Sequence, residues 1–305
     1  MKESGTTCSK CVDVLCVGHA AYDLILQVDR HPGEDEKYAA TGFVGTGGGP
    51  AANASVTVAR LGGTAAFAGY LGEDHFGELH FEELRSEGVF TDLIVRGPYP
   101  SPFSVILVKP DGKRTVINHR TATPFLDVSR IDFSSIHSGA VLFDGHEPNI
   151  SVPLTKVART RKIPVVLDAG SVHRGTVELA PLSDYLVCSE AFARDFCSGK
   201  DPIAAVKDLA AIAPVAVITL GSRGLVWCGG SECGHIPALL VDAVDTTGAG
   251  DIFHGAFALR LVRGDDLVSA LRYASAAAAL GCTKMGARPG IPKETELIEF
   301  LQRRG

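Results

Sequence analysis

The sequence has no basic tract, no long apolar run and no phosphate-binding loop of the Walker type, and each absence excludes something. Without clustered Lys and Arg, and with a net charge of −6, the chain carries no electrostatic footprint for nucleic acid. Acidity does not exclude a phosphate-bearing ligand, because backbone N–H groups bind phosphate without a cationic side chain. The Ala-rich run from Ala274 to Leu280 is too short to cross a bilayer. Met1 to Lys10 is short and polar and lacks the apolar segment of a secretory leader. The expectation is a cytoplasmic protein that engages no membrane. There is no internal repeat, no low-complexity segment and no Pro/Gly/Ser-rich linker, so the 305 residues read as one folded unit.

What is present is the profile of a globular protein: 46% hydrophobic and 21% charged residues. Eight cysteines occur. Cys16, Cys188 and Cys282 lie in apolar runs, where a thiol acts as a small hydrophobe. Cys8 and Cys11 have CxxC spacing, and Cys228 and Cys233 are five apart, so a zinc site built from both pairs is one reading. Reduced thiols are the other, which a cytoplasmic location favours.

Short apolar runs alternate with helical patterns. Strands are expected at Val12–Val17, Ala65–Tyr70, Ala140–Phe143, Val165–Asp168, Tyr185–Cys188 and Val215–Thr219. Helices are expected at Pro50–Leu61, Phe76–Glu87, Ser151–Arg161, Pro202–Ala213 and Ile252–Val262. Such alternation predicts an α/β fold of three layers, a mainly parallel central sheet with helices on both faces. Two stretches break the rhythm, at about 24–44 and 103–118, and read as antiparallel strands of a small β-sheet lid. The second holds a hairpin turning at Pro110-Asp111-Gly112-Lys113. The single domain spans 12–305, and 1–11 is a flexible N-terminal tail.

The densest chemical signal is Asp245-Thr-Thr-Gly-Ala-Gly-Asp251, set just before the helical pattern. Glycines let a ligand approach the backbone, and a helix N-terminus offers unpaired N–H groups at its positive end. Gly248, Ala249 and Gly250 thus make an anion hole, and Asp251 at its mouth is placed to accept a proton. The spacing alone leaves a second reading open, in which Asp251 caps the helix and the glycines serve a turn.

This segment resembles the C-terminal signature of the ribokinase-like (PfkB) carbohydrate kinases. The resemblance implies Asp251 as general base, the Gly248–Gly250 amides as anion hole, and a monovalent cation such as K⁺ near Asp245 and Thr247. Gly48, Gly49 and Asn53 resemble the family's N-terminal GGxxxN signature, which binds sugar hydroxyls. A dinucleotide-binding pattern through Gly47, Gly49 and Ala52, with Glu73 and Asp74 downstream, is set aside because the Gly-rich turn does not follow the first strand. The resemblance adds Asp23 as a sugar-binding carboxylate, and Asn118 and Arg114 on the lid. Asp144 and His146 after their strand are further candidates.

On the nucleotide side, Thr219, Gly221, Ser222 and Gly224 resemble the TLGxxG turn beside ATP, and Gly286 falls in the loop around adenine. One departure stands out. Where many members have Asn-x-x-Glu, this chain has Ser189, Glu190, Ala191 and Phe192, which leaves Glu190 to serve Mg²⁺. That change, the GGGPAA run and the GARPGIP tail resemble the ketohexokinase-like and sulfofructose-kinase-like branch. The implied activity is ATP-dependent phosphorylation of a primary hydroxyl of a small sugar, a ketohexose or its derivative. Alternatives are a nucleoside kinase or a non-catalytic sensor of the same fold. A homodimer through the lid is the implied assembly.

Overall fold

The computed structural model describes residues 10–120 and 123–304. The chain begins β1 (Lys10–Val17), β2 (Ala21–Gln27), β3 (Gly42–Gly48), α1 (Pro50–Arg60), β4 (Ala65–Gly72), α2 (His75–Ser86) and β5 (Ile94–Gly97). It continues β6 (Phe103–Val108), β7 (Arg114–His119), β8 (Ile136–Phe143), α3 (Pro148–Thr160), β9 (Val165–Ala169), α4 (Arg174–Leu179), β10 (Tyr185–Ser189), α5 (Glu190–Phe196) and α6 (Pro202–Ala210). It ends β11 (Val215–Thr219), β12 (Leu225–Gly229), β13 (Glu232–Ile236), α7 (Ala249–Val262), α8 (Leu267–Gly281), α9 (Ala287–Gly290) and α10 (Glu294–Gln302).

Nine strands form the main sheet in the order β13-β12-β11-β10-β9-β8-β1-β4-β5. The pairs from β11 to β5 are parallel, and only the β11–β12 and β12–β13 pairs are antiparallel. Alternate strand residues face opposite layers. Val14, Cys16, Phe67, Leu142 and Val187 pack with α1, α7 and α8. Leu15, Val17, Val141, Phe143 and Leu186 pack with α3 to α6. The three layers follow from these near-continuous apolar runs, as sheets covered on both faces require.

The smaller sheet, in the order β3-β2-β6-β7, is the expected lid. Its pairing is not wholly antiparallel, since β2 and β6 run parallel. β1 feeds β2 directly, so the lid grows out of the end of a buried strand of the main sheet. Strand β1 takes in Lys10 and Cys11, which shortens the tail expected at 1–11. Cys8 lies outside the described residues. Cys228 and Cys233 face one another across β12 and β13 and are joined as a disulfide, so neither the zinc reading nor free thiols applies to them. Among the described residues no cluster of three or more His, Cys, Asp or Glu is placed to hold a metal, and no helix is long and apolar enough to cross a membrane.

Helices α1 and α7 set the site. Helix α1 starts with Pro50 in its first turn, after Gly49 at φ +93°. A Cβ on Gly49 would lie 2.6 Å from the His19 carbonyl, so the helix start sits against the end of β1. Helix α7 is buried from Ile252 through Leu259 and starts after Gly248, left-handed at φ +75°. Gly255 presses on the Ala54 carbonyl of α1, where a Cβ would come within 2.5 Å. That close approach brings residues from the two ends of the chain into contact.

Candidate active site

The residues of the two signatures meet. Asn53 Nδ2 donates to Asp251 Oδ2 at 2.7 Å, across 198 positions of sequence. Asp251 stands in the first turn of α7. Burial, then the charge of Asp168, pushes its carboxyl up to about 7, against the pull of the Asn53 donor and His254. A carboxylate titrating near neutrality is suited to take a proton from a hydroxyl.

The anion hole differs in detail from the expected Gly248–Ala249–Gly250 set. The Ala249 N–H is spent on the Thr246 carbonyl at 3.3 Å. The N–H groups of Gly248, Gly250 and Asp251 find no acceptor among the described residues, as the start of a helix leaves them. Asp245 is 1% exposed. Its Oδ1 accepts from the Thr247 N–H (2.9 Å) and hydroxyl (2.7 Å), and its Oδ2 accepts from Gly286 N–H (2.8 Å). It therefore ties the start of α7 to the loop before α9.

A cleft of about 240 Å³ opens in front of Asp251, with Arg114, Asp144, His146, Asp168, Gly248 and Gly250 in its wall. Asp168 ends β9, and His254 Nδ1 lies 3.4 Å from its Oδ2. Arg114 reaches from the lid and donates to Thr246 Oγ1 at 2.5 Å. Asp144 accepts from the N–H groups of His19 (2.7 Å), Ala51 (3.2 Å) and His146 (2.9 Å). Burial alone would raise its carboxyl, but His146 and these amides hold it well below the usual carboxylate range. Its oxygens are thus occupied in joining β1, α1 and the turn after β8. His146 stacks between His19 and His173, with centroids 5.2 and 4.8 Å away.

On the lid side, Asp23 is buried against Gly48, and a Cβ there would lie 2.1 Å from its Oδ2. Burial pushes the Asp23 carboxyl up to about 6, with the Ser104 hydroxyl and Arg288 pulling it back. Asn118 is exposed on β7 opposite Ser104, outside the cleft wall.

Beyond α7 lies an apolar cavity of about 280 Å³. Thr219, Gly221, Ser222 and Gly224 line it, with Leu225, Leu239, Phe253 and Ala279. Gly286 is not in its wall but on the Asp245 loop. Glu190, expected from the resemblance to serve Mg²⁺, forms an ion pair with Arg223 and is not among the residues lining the cleft. Asp74, weighed as a ribose-binding acid, instead caps α2 by accepting from Gly77 N–H at 2.8 Å.

Several residues in or behind the cleft wall escaped the sequence reading. Asp168 carried a usable signal, a carboxylate at the C-terminal end of a parallel strand. His254 lies one turn after Asp251, on the same helix face. Arg288, His80 and Glu83 carried none.

A doubly covered parallel sheet, a β lid and a carboxylate beside open helix amides define a phosphoryl-transfer fold acting on a small molecule. The family described as "pfkB family carbohydrate kinase" matches residues 12–294, and the chain belongs to it. Its relatives include a ribokinase of Bacillus subtilis, 30% identical over 295 residues that cover 95% of this chain and 99% of that protein. A fructokinase of Solanum tuberosum is 31% identical, covering 86% of this chain and 88% of that protein. Among solved structures, Arabidopsis thaliana ribokinase complexed with ribose and ATP superposes with a TM-score of 0.82 at 26% identity, covering 96% of this chain and 99% of that one.

Proposed function

We propose that this chain transfers the γ-phosphoryl group of ATP to a primary hydroxyl of a small sugar, a ketohexose or ketohexose derivative, with Asp251 as general base. The observation that carries the reading is the Asn53–Asp251 hydrogen bond. It sets a carboxylate that stands beside open helix amides next to the sugar-side signature. The sugar lies between lid and core, held by Asp23, the Gly48–Gly49 backbone and Asn53. The adenine enters the apolar cavity beside Leu225 and Phe253, which directs the phosphates over the start of α7. Asp251 takes the hydroxyl proton as the oxygen attacks. The amides of Gly250 and Asp251 face the charge on the transferring group, where preorganised donors act most strongly. Arg114 closes the lid over the same point.

Among the described residues no group of three or more His, Cys, Asp or Glu is placed to cage a metal, and Mg²⁺ would be held chiefly by the triphosphate and its own waters, as is usual for that ion. Asp245 suits a monovalent cation. It is a buried carboxylate with N–H and O–H donors but no ion pair to a Lys, Arg or His among the described residues. Phe43 and Ile117, 63% and 57% exposed on lid strands, support dimerisation through the lid, which light scattering on the purified protein tests.

The deciding experiment measures ADP release with fructose, other ketoses, ribose and nucleosides, with and without K⁺. Turnover on a ketose that vanishes in Asp251→Asn is the expected result. Preference for a nucleoside replaces the substrate, and ligand binding without ADP release at any substrate makes the chain a sensor. Near-normal kcat in Asp251→Asn removes Asp251 from its role.

A further inference from the structure

Behind Asn53 lies a buried cation that the reaction above leaves unused. Arg288 stands in α9 and is 1% exposed. Its Nε donates to Asn53 Oδ1 at 3.1 Å, and its Nη2 donates to His80 Nε2 at 3.1 Å. Its Nη1 lies 3.4 Å from Glu83 Oε1. Glu83 in turn accepts from the Gly47 N–H (2.6 Å) and the Thr46 hydroxyl (2.9 Å), on the strand that carries the sugar-side glycines. Burial, then the charge of Arg288, lowers the His80 pKa well below its ordinary value, which suits a ring nitrogen that accepts from a guanidinium.

An Asn amide has one donor end and one acceptor end, and nothing in its own shape decides which end faces Asp251. A guanidinium only donates. With Arg288 on one side, the Asn53 oxygen must turn toward it, and the NH₂ must turn toward Asp251. We propose that Arg288 is a positioning residue, which fixes the amide of Asn53 so that the base meets a donor rather than an acceptor. The inference rests on Asp251 being the base.

The consequence is read at the base. Asp251 faces Asp168 on β9, Asp23 on β2 and His254 on its own helix, with Arg114 across the cleft. The two carboxylates disfavour its ionisation, and the Asn53 donor works against them. A released amide can rotate and lose that donor, which moves the ionisation of Asp251 upward by about one pH unit.

Two substitutions separate the donor from the charge. In Arg288→Gln the side-chain nitrogen stands as many bonds from Cα as Nε did, so the donor persists while the charge goes. Arg288→Met removes both. The dependence of kcat/KM for the sugar on pH between 5.5 and 9 reports the free enzyme's base. Arg288→Met moves the acid limb up by about one unit, lowers kcat/KM at pH 7 by about fivefold, and recovers toward pH 9. Arg288→Gln leaves the limb where the wild type has it. The proposal is overturned if Arg288→Met depresses kcat/KM equally at every pH, or if Arg288→Gln moves the limb as far as Met does. Should Arg288→Met not fold, Asn53→Ala takes its place, and an acid limb that stays put there overturns the proposal equally. Retained turnover in Asp251→Asn would bring down the base assignment and this inference together. Turnover lost there, with an unmoved limb in Arg288→Met, would bring down this inference alone.

Discussion

Replacing Asp251 by Asn should remove activity and also stabilise the protein, in a way that depends on pH. The Asp251 carboxyl is raised from its ordinary 3.8 to about 7 in the folded chain. Below pH 4 both folded and unfolded states hold the proton, and the group is neutral in each. Between 3.8 and 7 the unfolded state ionises first, so native stability falls as pH rises, and above 7 the loss is complete. A gap of roughly three pH units corresponds to about 4 kcal/mol at one 1.36 kcal/mol step per unit. The attraction between the carboxylate and the start of α7, which Asn lacks, and partial access of solvent reduce the gain to about 2 kcal/mol. For a domain of this size that is a rise in Tm of roughly 5 °C. Thermal melting of both proteins from pH 4 to 9 measures it. The curves should meet near pH 4 and separate through neutrality, with the variant higher. A difference that is independent of pH, or a variant less stable at pH 8, would refute the reasoning that burial sets the ionisation of this carboxyl group.

Gly48→Ala should raise the sugar KM by more than about tenfold with little effect on nucleotide binding, because its Cβ would stand 2.1 Å from Asp23 Oδ2 and must displace that carboxylate; titrating sugar and ATP separately checks it. Ala279→Phe should fill much of the 280 Å³ cavity and raise the ATP KM while leaving sugar binding in place, as isothermal titration of each ligand would tell. Asp144→Asn should cost about 1–3 kcal/mol, because its NH₂ must face one of the three amide donors now satisfied by carboxylate oxygens. The depressed Asp144 carboxyl contributes stability above its unfolded value and loses it as pH falls, so the wild-type advantage in Tm should shrink in acid.

The layers and the two signatures were legible because they rest on local pattern. A parallel strand buried on both faces must be apolar throughout, so β1, β4 and β9 to β11 announced themselves. The Gly-rich turns marked both helix starts. The disulfide was not legible, because the pairing of Cys228 with Cys233 depends on β12 and β13 being neighbours, and neither strand was predicted. Of the two lid candidates, Asn118 and Arg114, only Arg114 lines the cleft. Side-chain reach across a lid depends on the lid's twist and placement, which strand alternation does not encode. Arg288 was harder still. Charged side chains are almost never fully buried, so an Arg between Ala and Pro reads as surface until α9 is seen packed behind α1.

The site's ionisation pattern supplies an argument for the base that the motif alone could not. Three carboxylates stand in one cleft, and their surroundings push them apart. Asp144 accepts from three backbone donors and is held in its charged form, so it has little basicity to spare. Asp168 is raised by burial, but in the cleft wall His254 stands against it. Asp251 alone combines a raised carboxyl with unpaired amides at its own helix start. Environments that separate like groups assign their roles. The positive ends of α1 and α7 both converge here. One is spent on Asp144 through the Ala51 N–H, and the other is left open for a phosphoryl group beside Asp251.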